Sequence, residues 1–325
     1  MKKKLSVKKS KIIKNVEKFI ALCLYALNDG RLAIGSEEIN GLTDSQGVLL
    51  IYDVKTNIIE QKIKNPYYIN YFYQLKNNNL FYYSNHQKQN FQDFSLFSYH
   101  YNGLIKLCDK SYEDVTTQLP KESKYNILKE SPNGVLYGGI TYDSTKFKIN
   151  QTNGYGKERI EKMVKIKNKY DIVTCFKLFF KDFAVLKNNL IVILSYKELL
   201  FYNTYTFKII KKIDYLKYSQ CLSVYNEKHL LVGFEKKILI FDYKNYRIIK
   251  YIPLDFSLIK IYVNKNIAFI LLKNETIEDF IIQDNGNYDR VNVYNKFDVK
   301  KGNFIDIAQI KDGSIITSSP LKIWN

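Results

Sequence analysis

The stretch that decides the fold is Ile315-Ile316-Thr317-Ser318-Ser319-Pro320-Leu321-Lys322-Ile323-Trp324-Asn325, at the end of the sequence. It reads as two short β-strands, because side chains from Leu321 to Asn325 alternate with the period of two expected of a strand. No further segment follows to pair with the second strand, so its sheet would keep an open edge, which invites aggregation. We therefore expect a strand from elsewhere in the chain to complete this sheet.

The N-terminal region offers that strand. Residues 11–16, Lys-Ile-Ile-Lys-Asn-Val, are β-prone and lie just before the first recognisable repeat. Residues 1–10 carry five lysines, which predicts a basic tail that could serve nuclear import or contact RNA. We therefore expect a tail at 1–10 and one folded domain over 11–325.

A repeated hairpin runs through that domain. Each copy has an apolar strand, a turn and a second apolar strand, and most of the second strands end in small residues. The turns are rich in Asn and Gly, which tolerate the positive φ that hairpin turns need. The copies are about 40–55 residues apart, a spacing typical of propeller blades. They span Leu27–Ser36, Leu75–Ser84, Glu130–Gly139, Leu186–Ser195, Val224–Gly233, Val263–Leu271 and Ile310–Ser318.

A second repeated feature is a strand that ends in an aromatic residue followed by a polar acceptor. Most copies lead into a Lys-rich segment that reads as an exposed outer strand protected by charge. The second, third and sixth repeats lack a clear copy, so their boundaries are predicted only to within several residues. The clear copies are Leu49–Asp53, Leu199–Asn203, Ile238–Asp242 and Leu321–Asn325.

These features resemble the WD-repeat family, in which the third strand of each blade ends in Trp-Asp, the position of Trp324-Asn325 here. The resemblance covers nearly the whole chain, although the family's Gly-His pair is absent. It implies an all-β fold, a single β-propeller of about seven four-stranded blades. The N-terminal strand would close the ring by completing the C-terminal blade. A Kelch-type propeller and a chain of immunoglobulin-like domains are the alternatives.

The formal net charge of +18 has two explanations that stay open. Positive charge attracts nucleic acid, an anionic membrane or an acidic protein. Alternatively, a nucleotide bias would enrich Lys, Asn, Ile and Tyr together, because their codons are AT-rich. The four cysteines are far apart and form no CxxC pair, which favours reduced thiols. We therefore expect a cytoplasmic protein, with a nuclear location as the alternative and without secretion.

Two regions are candidates for partner binding. The first is an insert from Glu37 to Gly47, which holds Glu38, Asp44 and Gln46 on what we expect to be an exposed loop. The second is a basic run over 157–169, which reads either as a patch for an acidic partner or as an ordinary outer strand with a linker. It holds Arg159, Lys162 and Lys165. A further predicted loop runs from His86 to Asp93.

Catalytic signals are missing from the sequence. No phosphate-binding Gly-rich loop, nucleophile elbow, HExxH helix or zinc spacing occurs, so we predict no enzyme, no catalytic residue, no cofactor and no metal. No apolar run is long enough to span a bilayer. The leading hypothesis is a scaffold that binds protein partners as a monomer within a larger complex. The alternatives are a propeller that binds nucleic acid or a ribonucleoprotein and, more remotely, an enzyme carried on a propeller.

Overall fold

The structure is a computed structural model of the whole chain. It describes residues 6–7, 10–13, 16, 19–39, 45–65, 67–90, 95–108, 111–120, 125–140, 159–166, 169–177, 180–187, 189–206, 208–214, 216, 218–274, 276–294, 306–318 and 321–324.

The described part of the chain is made almost entirely of strands. A single 3₁₀ turn at Thr116–Gln118 is its only helical element. None of its helical segments is long and apolar enough to cross a membrane. The strands are β1 (Ser6–Val7), β2 (Ser10–Ile12), β3 (Phe19–Ala26), β4 (Leu32–Ile39), β5 (Ser45–Asp53), β6 (Ile58–Asn65), β7 (Tyr68–Gln74), β8 (Asn79–Asn90), β9 (Ser95–Leu107), β10 (Tyr112–Asp114), β11 (Ile127–Glu130), β12 (Leu136–Ile140), β13 (Arg159–Ile166), β14 (Lys169–Lys177), β15 (Asp182–Leu186), β16 (Leu190–Leu194), β17 (Leu199–Asn203), β18 (Ile209–Ile213), β19 (Ser219–Val224), β20 (His229–Phe234), β21 (Lys237–Asp242), β22 (Arg247–Pro253), β23 (Leu258–Asn264), β24 (Ile267–Leu272), β25 (Ile277–Ile282), β26 (Tyr288–Tyr294), β27 (Ile307–Gln309), β28 (Ile315–Thr317) and β29 (Lys322–Trp324).

These strands form seven antiparallel sheets, which are the blades of a β-propeller. We number the sheets along the chain. Sheets 1 to 5 are β3–β6, β7–β10, β11–β14, β15–β18 and β19–β22, each four-stranded with neighbours in sequence order. Sheet 6 is β23–β26 with β1 added at its edge, and sheet 7 is β27–β29 with β2. The predicted all-β propeller of seven four-stranded blades is confirmed.

The seven predicted hairpins are the first two strands of the seven sheets. Their turns have the backbone conformation that was expected from composition. Asn78 and Asn189 have φ of 65° and 60°, and Gly30 has φ of 96°. Positive φ costs most side chains energy but is tolerated by Asn and is natural for Gly. The recurrence of these two residues at the turns therefore has a local, steric cause.

The N-terminal strand completes the last sheet. β2 pairs antiparallel with β29, with Ser10 opposite Trp324 and Ile12 opposite Lys322. The strand is shorter than the predicted 11–16, of which residues 14 and 15 lie outside the described part. Ahead of it, within the segment predicted as a tail, β1 pairs in parallel with β26. The N-terminal region thus adds one strand to each of two sheets.

The chain divides into two compact units. Unit 1 comprises Met1–Ile12, Phe180–Gln309 and Gly313–Asn325, and therefore holds sheets 4 to 7. Unit 2 comprises Ile13–Phe179 and Ile310–Asp312, and holds sheets 1 to 3. Within each unit the apolar cores lie between consecutive sheets: sheets 4 and 5, 5 and 6, and 6 and 7 in unit 1, and sheets 1 and 2 and 2 and 3 in unit 2. Each blade is thus stabilised by burying apolar side chains against its neighbours.

Two predicted loops are wrong, because strands occupy most of their length. β4 continues to Ile39 and β5 begins at Ser45, so Glu38 pairs with Gln46 across a continuous ladder. β8 continues to Asn90 and β9 begins at Ser95. Polar composition had suggested loops in both places. A hairpin can carry polar side chains and still satisfy its backbone through cross-strand hydrogen bonds.

Several second strands carry a glycine where a neighbouring ring or strand packs closely. Gly35, Gly138 and Gly233 are all buried. A Cβ on Gly138 would lie 2.3 Å from the ring of Tyr125, and one on Gly35 would lie 2.8 Å from a backbone carbonyl oxygen. These positions allow close packing of a neighbouring ring or strand, for which only Gly is small enough.

Candidate interaction surface

The predicted residues of the first blade belong to sheet 1 rather than to a free loop. The Glu38 carboxylate lies 2.5 Å from the Lys62 ammonium, which also lies 5.3 Å from the centroid of the Phe19 ring. Gln46 sits opposite Glu38 on β5. Asp44 lies outside the described residues. Glu38 and Gln46 are therefore brought together, and Glu38 is already neutralised by its own sheet.

The described part of the predicted basic run falls mainly on β13, the third strand of sheet 3, and its last residue, Lys169, begins the outer strand β14. Arg159 begins β13. Lys162 is half-buried, and this burial lowers the pKa of its ammonium. Lys165 is exposed, with its Nζ 5.9 Å from the centroid of the Tyr170 ring. Lys162 and Lys165 are three positions apart on one strand and so point to opposite faces of the sheet. They do not form a common patch, and their role in partner binding stays a prediction.

A different surface emerges from the loops of unit 1. In a four-stranded antiparallel sheet, the turn between the second and third strands lies at the same end as the loop that leads to the next sheet. In sheet 4 these two segments are hydrogen-bonded, since Leu216 N–H donates to the carbonyl oxygen of Lys197 at 3.0 Å. Sheet 5 repeats the bond from Leu254 to Lys236, also at 3.0 Å. Two neighbouring sheets therefore build this end in the same way.

Both loops present an aromatic residue two positions after the anchoring leucine. Leu216 and Leu254 are buried, whereas Tyr218 is 82% exposed and Phe256 is 48% exposed. The leucine fixes the loop by packing and by its backbone hydrogen bond, which places the aromatic residue on the outside. Large exposed aromatic side chains at repeated positions are typical of binding surfaces.

A third aromatic residue joins this end through Lys181. The Lys181 ammonium donates a hydrogen bond to the Ser219 carbonyl oxygen at 2.7 Å, next in sequence to Tyr218. The same nitrogen lies 5.0 Å from the centroid of the Tyr196 ring, and Tyr196 is 53% exposed. Lys181 therefore links the two aromatic loops of sheet 4. We call Tyr196, Tyr218, Phe256 and Lys181 the aromatic surface.

The backbone at Tyr218 supports a binding role for this surface. Its φ is 67°, in the left-handed region. For a bulky residue with a Cβ this conformation costs about 1–2 kcal/mol, and Tyr218 gains almost no burial in return. Strained residues of this kind cluster at functional sites. The combination of left-handed backbone and an exposed ring indicates that the tyrosine serves something other than folding.

The charges at this end of unit 1 are nearly balanced. Among the described residues of these loops, lysines and carboxylates are mixed, so the described loops do not carry charge of one sign only. A polyanion would require a uniformly positive groove to follow its backbone. Within the described ranges, no group of three or more His, Cys, Asp or Glu side chains is placed to hold a metal ion. The charged residues concerned are Lys181, Lys197, Lys236 and Lys273 with Glu198, Glu235 and Asp255.

Sequence reasoning missed this surface although a signal was present. Leu216-Lys217-Tyr218 and Leu254-Asp255-Phe256 follow the Lys-rich outer strands of consecutive repeats at equivalent positions. Comparison of the loops after the outer strands would have found the shared Leu-x-aromatic pattern. The exposure of the rings and the positive φ of Tyr218 could not be found in this way, because both depend on the folded loop.

Comparison with known proteins identifies the fold. No protein-family model matches the sequence, and no curated protein sequence matches it. Among solved structures, a chain of "Crystal Structure of Mitotic Checkpoint Complex" matches with a TM-score of 0.67 and 8% identity, covering 100% of this chain and 94% of that one. The WD40 β-propeller domain of Doa1 matches with a TM-score of 0.62 and 14% identity, covering 99% and 97%. At such identities the likeness shows the fold, that of the WD40 β-propellers.

Proposed function

We propose that this protein is a non-catalytic interaction module that binds a protein partner through the aromatic surface. The observation that carries the proposal is the repeated loop of unit 1, in which a buried leucine presents an exposed aromatic residue on two neighbouring sheets. Tyr and other aromatic residues dominate the energetics of protein interfaces, because they bury a large area at a low entropic cost.

The likeness to WD40 propellers supports this proposal at the level of the fold. One of the matched structures is a multiprotein complex, the mitotic checkpoint complex. A fold that places many short loops on stiff sheets suits the display of separate contacts to one partner. The identity of the partner is not implied by the likeness.

The test is capture of partners by the tagged protein from a nuclease-treated lysate. Replacing Tyr218→Ala and Phe256→Ala together should reduce the captured protein at least about tenfold, because central aromatic residues contribute about 2 kcal/mol or more each to an interface. Tyr205→Ala is the matched control. Tyr205 is 63% exposed and lies on the turn between β17 and β18, at the opposite end of sheet 4. Its replacement should leave capture unchanged.

Equal capture by the double variant and by the unchanged protein would contradict the proposal. Loss of all captured material on nuclease treatment would instead favour the alternative, a propeller that binds nucleic acid. That alternative rests on the exposed rings beside Lys181, because nucleic-acid bases stack on aromatic side chains. Nucleic-acid binding would also weaken steeply as salt rises. The mixture of lysines and carboxylates in the loops around the aromatic surface favours the protein partner.

A further inference from the structure

The outer strands of five sheets share one irregularity. In sheets 1, 3, 4, 5 and 6 the fourth strand carries a single residue that has no partner on the third strand, within the first five residues of the strand. Such a β-bulge twists an edge strand and limits pairing with other chains. Beyond the bulge the strand is regular again. The unpaired residues are Glu60, Val173, Ile210, Ile249 and Val291.

The regular part beyond the bulge is occupied in sheet 6. There β1 adds as a fifth, parallel strand, with Ser6 opposite Asn292, the residue directly after the bulge. This segment of the chain's own N-terminal region shows that the edge geometry accepts an extended peptide. In each of the other sheets, the residue directly after the bulge can therefore be examined for contacts that would cover the edge.

The equivalent residue in sheet 1 has its side chain engaged. Gln61 follows the bulge there, and its Nε2 donates hydrogen bonds to the carbonyl oxygens of Cys108 at 3.0 Å and Ser111 at 2.9 Å. The turn between β9 and β10 therefore lies against the face of sheet 1 at this position. In sheet 5 the equivalent residue is Lys250, whose Nζ donates to the Asn287 side-chain oxygen at 3.1 Å. That lysine is held against sheet 6.

The side chains that follow the bulge in sheet 3 lie outside the described part of the chain, and in sheet 4 the site is open. No other strand in the described part of the chain pairs with the outer edge of β18. The site there begins at Lys211, and the strand exposes the side chains of Ile209 and Ile210 just before it. Lys212 is paired with Glu198 at 2.7 Å. Lys211 and the preceding Lys208 are exposed, and neither has an ion-pair partner among the described residues.

We propose that the edge of β18 from Lys211 to Ile213 receives an extended acidic segment of a protein partner as a fifth strand. The new strand would run parallel to β18, as β1 does to β26, and its backbone would satisfy the free N–H and C=O groups of the edge. Lys208 and Lys211 would face carboxylates, and apolar side chains of the partner would cover Ile209 and Ile210. The site includes none of the residues that define the aromatic surface.

The probe is a fluorescein-labelled heptapeptide of alternating Asp and Val residues, measured by fluorescence anisotropy against the full chain. We expect saturable binding that the double variant Lys208→Glu, Lys211→Glu weakens at least about tenfold, a change of about 1.4 kcal/mol. The matched control is Lys250→Glu, which reverses the same charge at the equivalent position of sheet 5. It should change the affinity by less than about twofold, well under that 1.4 kcal/mol step.

A second peptide separates strand addition from simple charge attraction. In it, Pro replaces each Val, which removes backbone donors without altering the charge. The proposal expects this peptide to bind much more weakly, and expects the first peptide to slow amide hydrogen exchange in 209–213. Absence of saturable binding, equal loss with Lys250→Glu, or equal affinity for the two peptides would each overturn it. These outcomes do not depend on the aromatic surface, so the two proposals can fail separately.

Discussion

Tyr218 combines two unfavourable features, a left-handed backbone and a ring that lies almost entirely in solvent. Folding alone would favour Asn or Gly at such a position, since both adopt positive φ at a lower cost. This combination supports the proposed binding role of Tyr218. Phe256 lacks this backbone strain, because its φ is not positive.

This difference leads to a stability prediction. Tyr218→Asn should leave the free energy of unfolding unchanged or raise it by up to about 1 kcal/mol, because Asn relieves part of the backbone strain. Urea denaturation of the variant and the unchanged protein measures the difference. Phe256→Asn is the comparison variant and should gain nothing. A clear loss of stability in Tyr218→Asn would show that the ring contributes to folding, which contradicts a role for Tyr218 in binding alone.

Buried residues show the limit of predicting a residue's role from its own position in the sequence. The sequence shows Gly138 only as a small residue near the end of a second strand, whereas in the structure it lies against the ring of Tyr125. The Tyr125 hydroxyl in turn donates to the buried Glu161 carboxylate at 2.6 Å. This arrangement joins a loop, a second strand and a third strand. A pattern along the sequence cannot reveal it, because the partners are far apart in the chain.

At the scale of strands and hairpins, the sequence was more informative. Hairpin turns and the aromatic-acceptor endings are local patterns, and they located the first three strands of most sheets correctly. Asp242 shows why the acceptor recurs: its carboxylate accepts the backbone N–H groups of Lys244 and Asn245 at 3.1 Å and so shapes the turn. The predictions failed where polar residues continue a strand, as at Glu38, because polarity reports exposure and not backbone pairing.

The N-terminal strands offer a second prediction. Deleting Met1–Val16 removes β1 and β2 together with the buried Ile13 and Val16. Burial of two such side chains contributes about 3 kcal/mol or more, so the melting temperature should fall by roughly 5 °C or more. Differential scanning calorimetry measures this change.

A shorter deletion is the matched control. Removing Met1–Lys9 eliminates β1 and keeps the pairing of β2 with β29. It should lower the melting temperature much less than the longer deletion. Equal melting temperatures for the two truncated proteins would mean that β2 does not stabilise sheet 7, and would contradict the structural role of the N-terminal strand.

At the scale of the whole molecule, the fold was predictable because repetition amplifies weak signals. No single repeat identifies a propeller, but seven hairpins at blade spacing and a matching N-terminal strand do. The proposed binding surface was not predictable in the same way. It depends on which loops of consecutive sheets lie at one end of unit 1, and on the exposure of Tyr196, Tyr218 and Phe256 after the sheets have packed.

The formal charge of +18 is a property of the whole chain and does not define a site. Several lysines are engaged within their own unit, as Lys62 is with Glu38 and Lys260 is with Asp306 at 2.5 Å. The exposed rings of the aromatic surface, in contrast, are concentrated at one end of neighbouring sheets. A nonspecific attraction to polyanions and a specific protein interface would therefore use different parts of the molecule.

The most direct test of the central claim is amide hydrogen exchange of the protein alone and bound to the partner that it captures. We predict slower exchange on binding in the loops 195–198, 216–219 and 254–257, which surround the aromatic surface. Exchange in the turn 203–206, around Tyr205, should not change. Protection confined to that turn, or no protection at the three loops, would contradict the conclusion that the aromatic surface binds the partner.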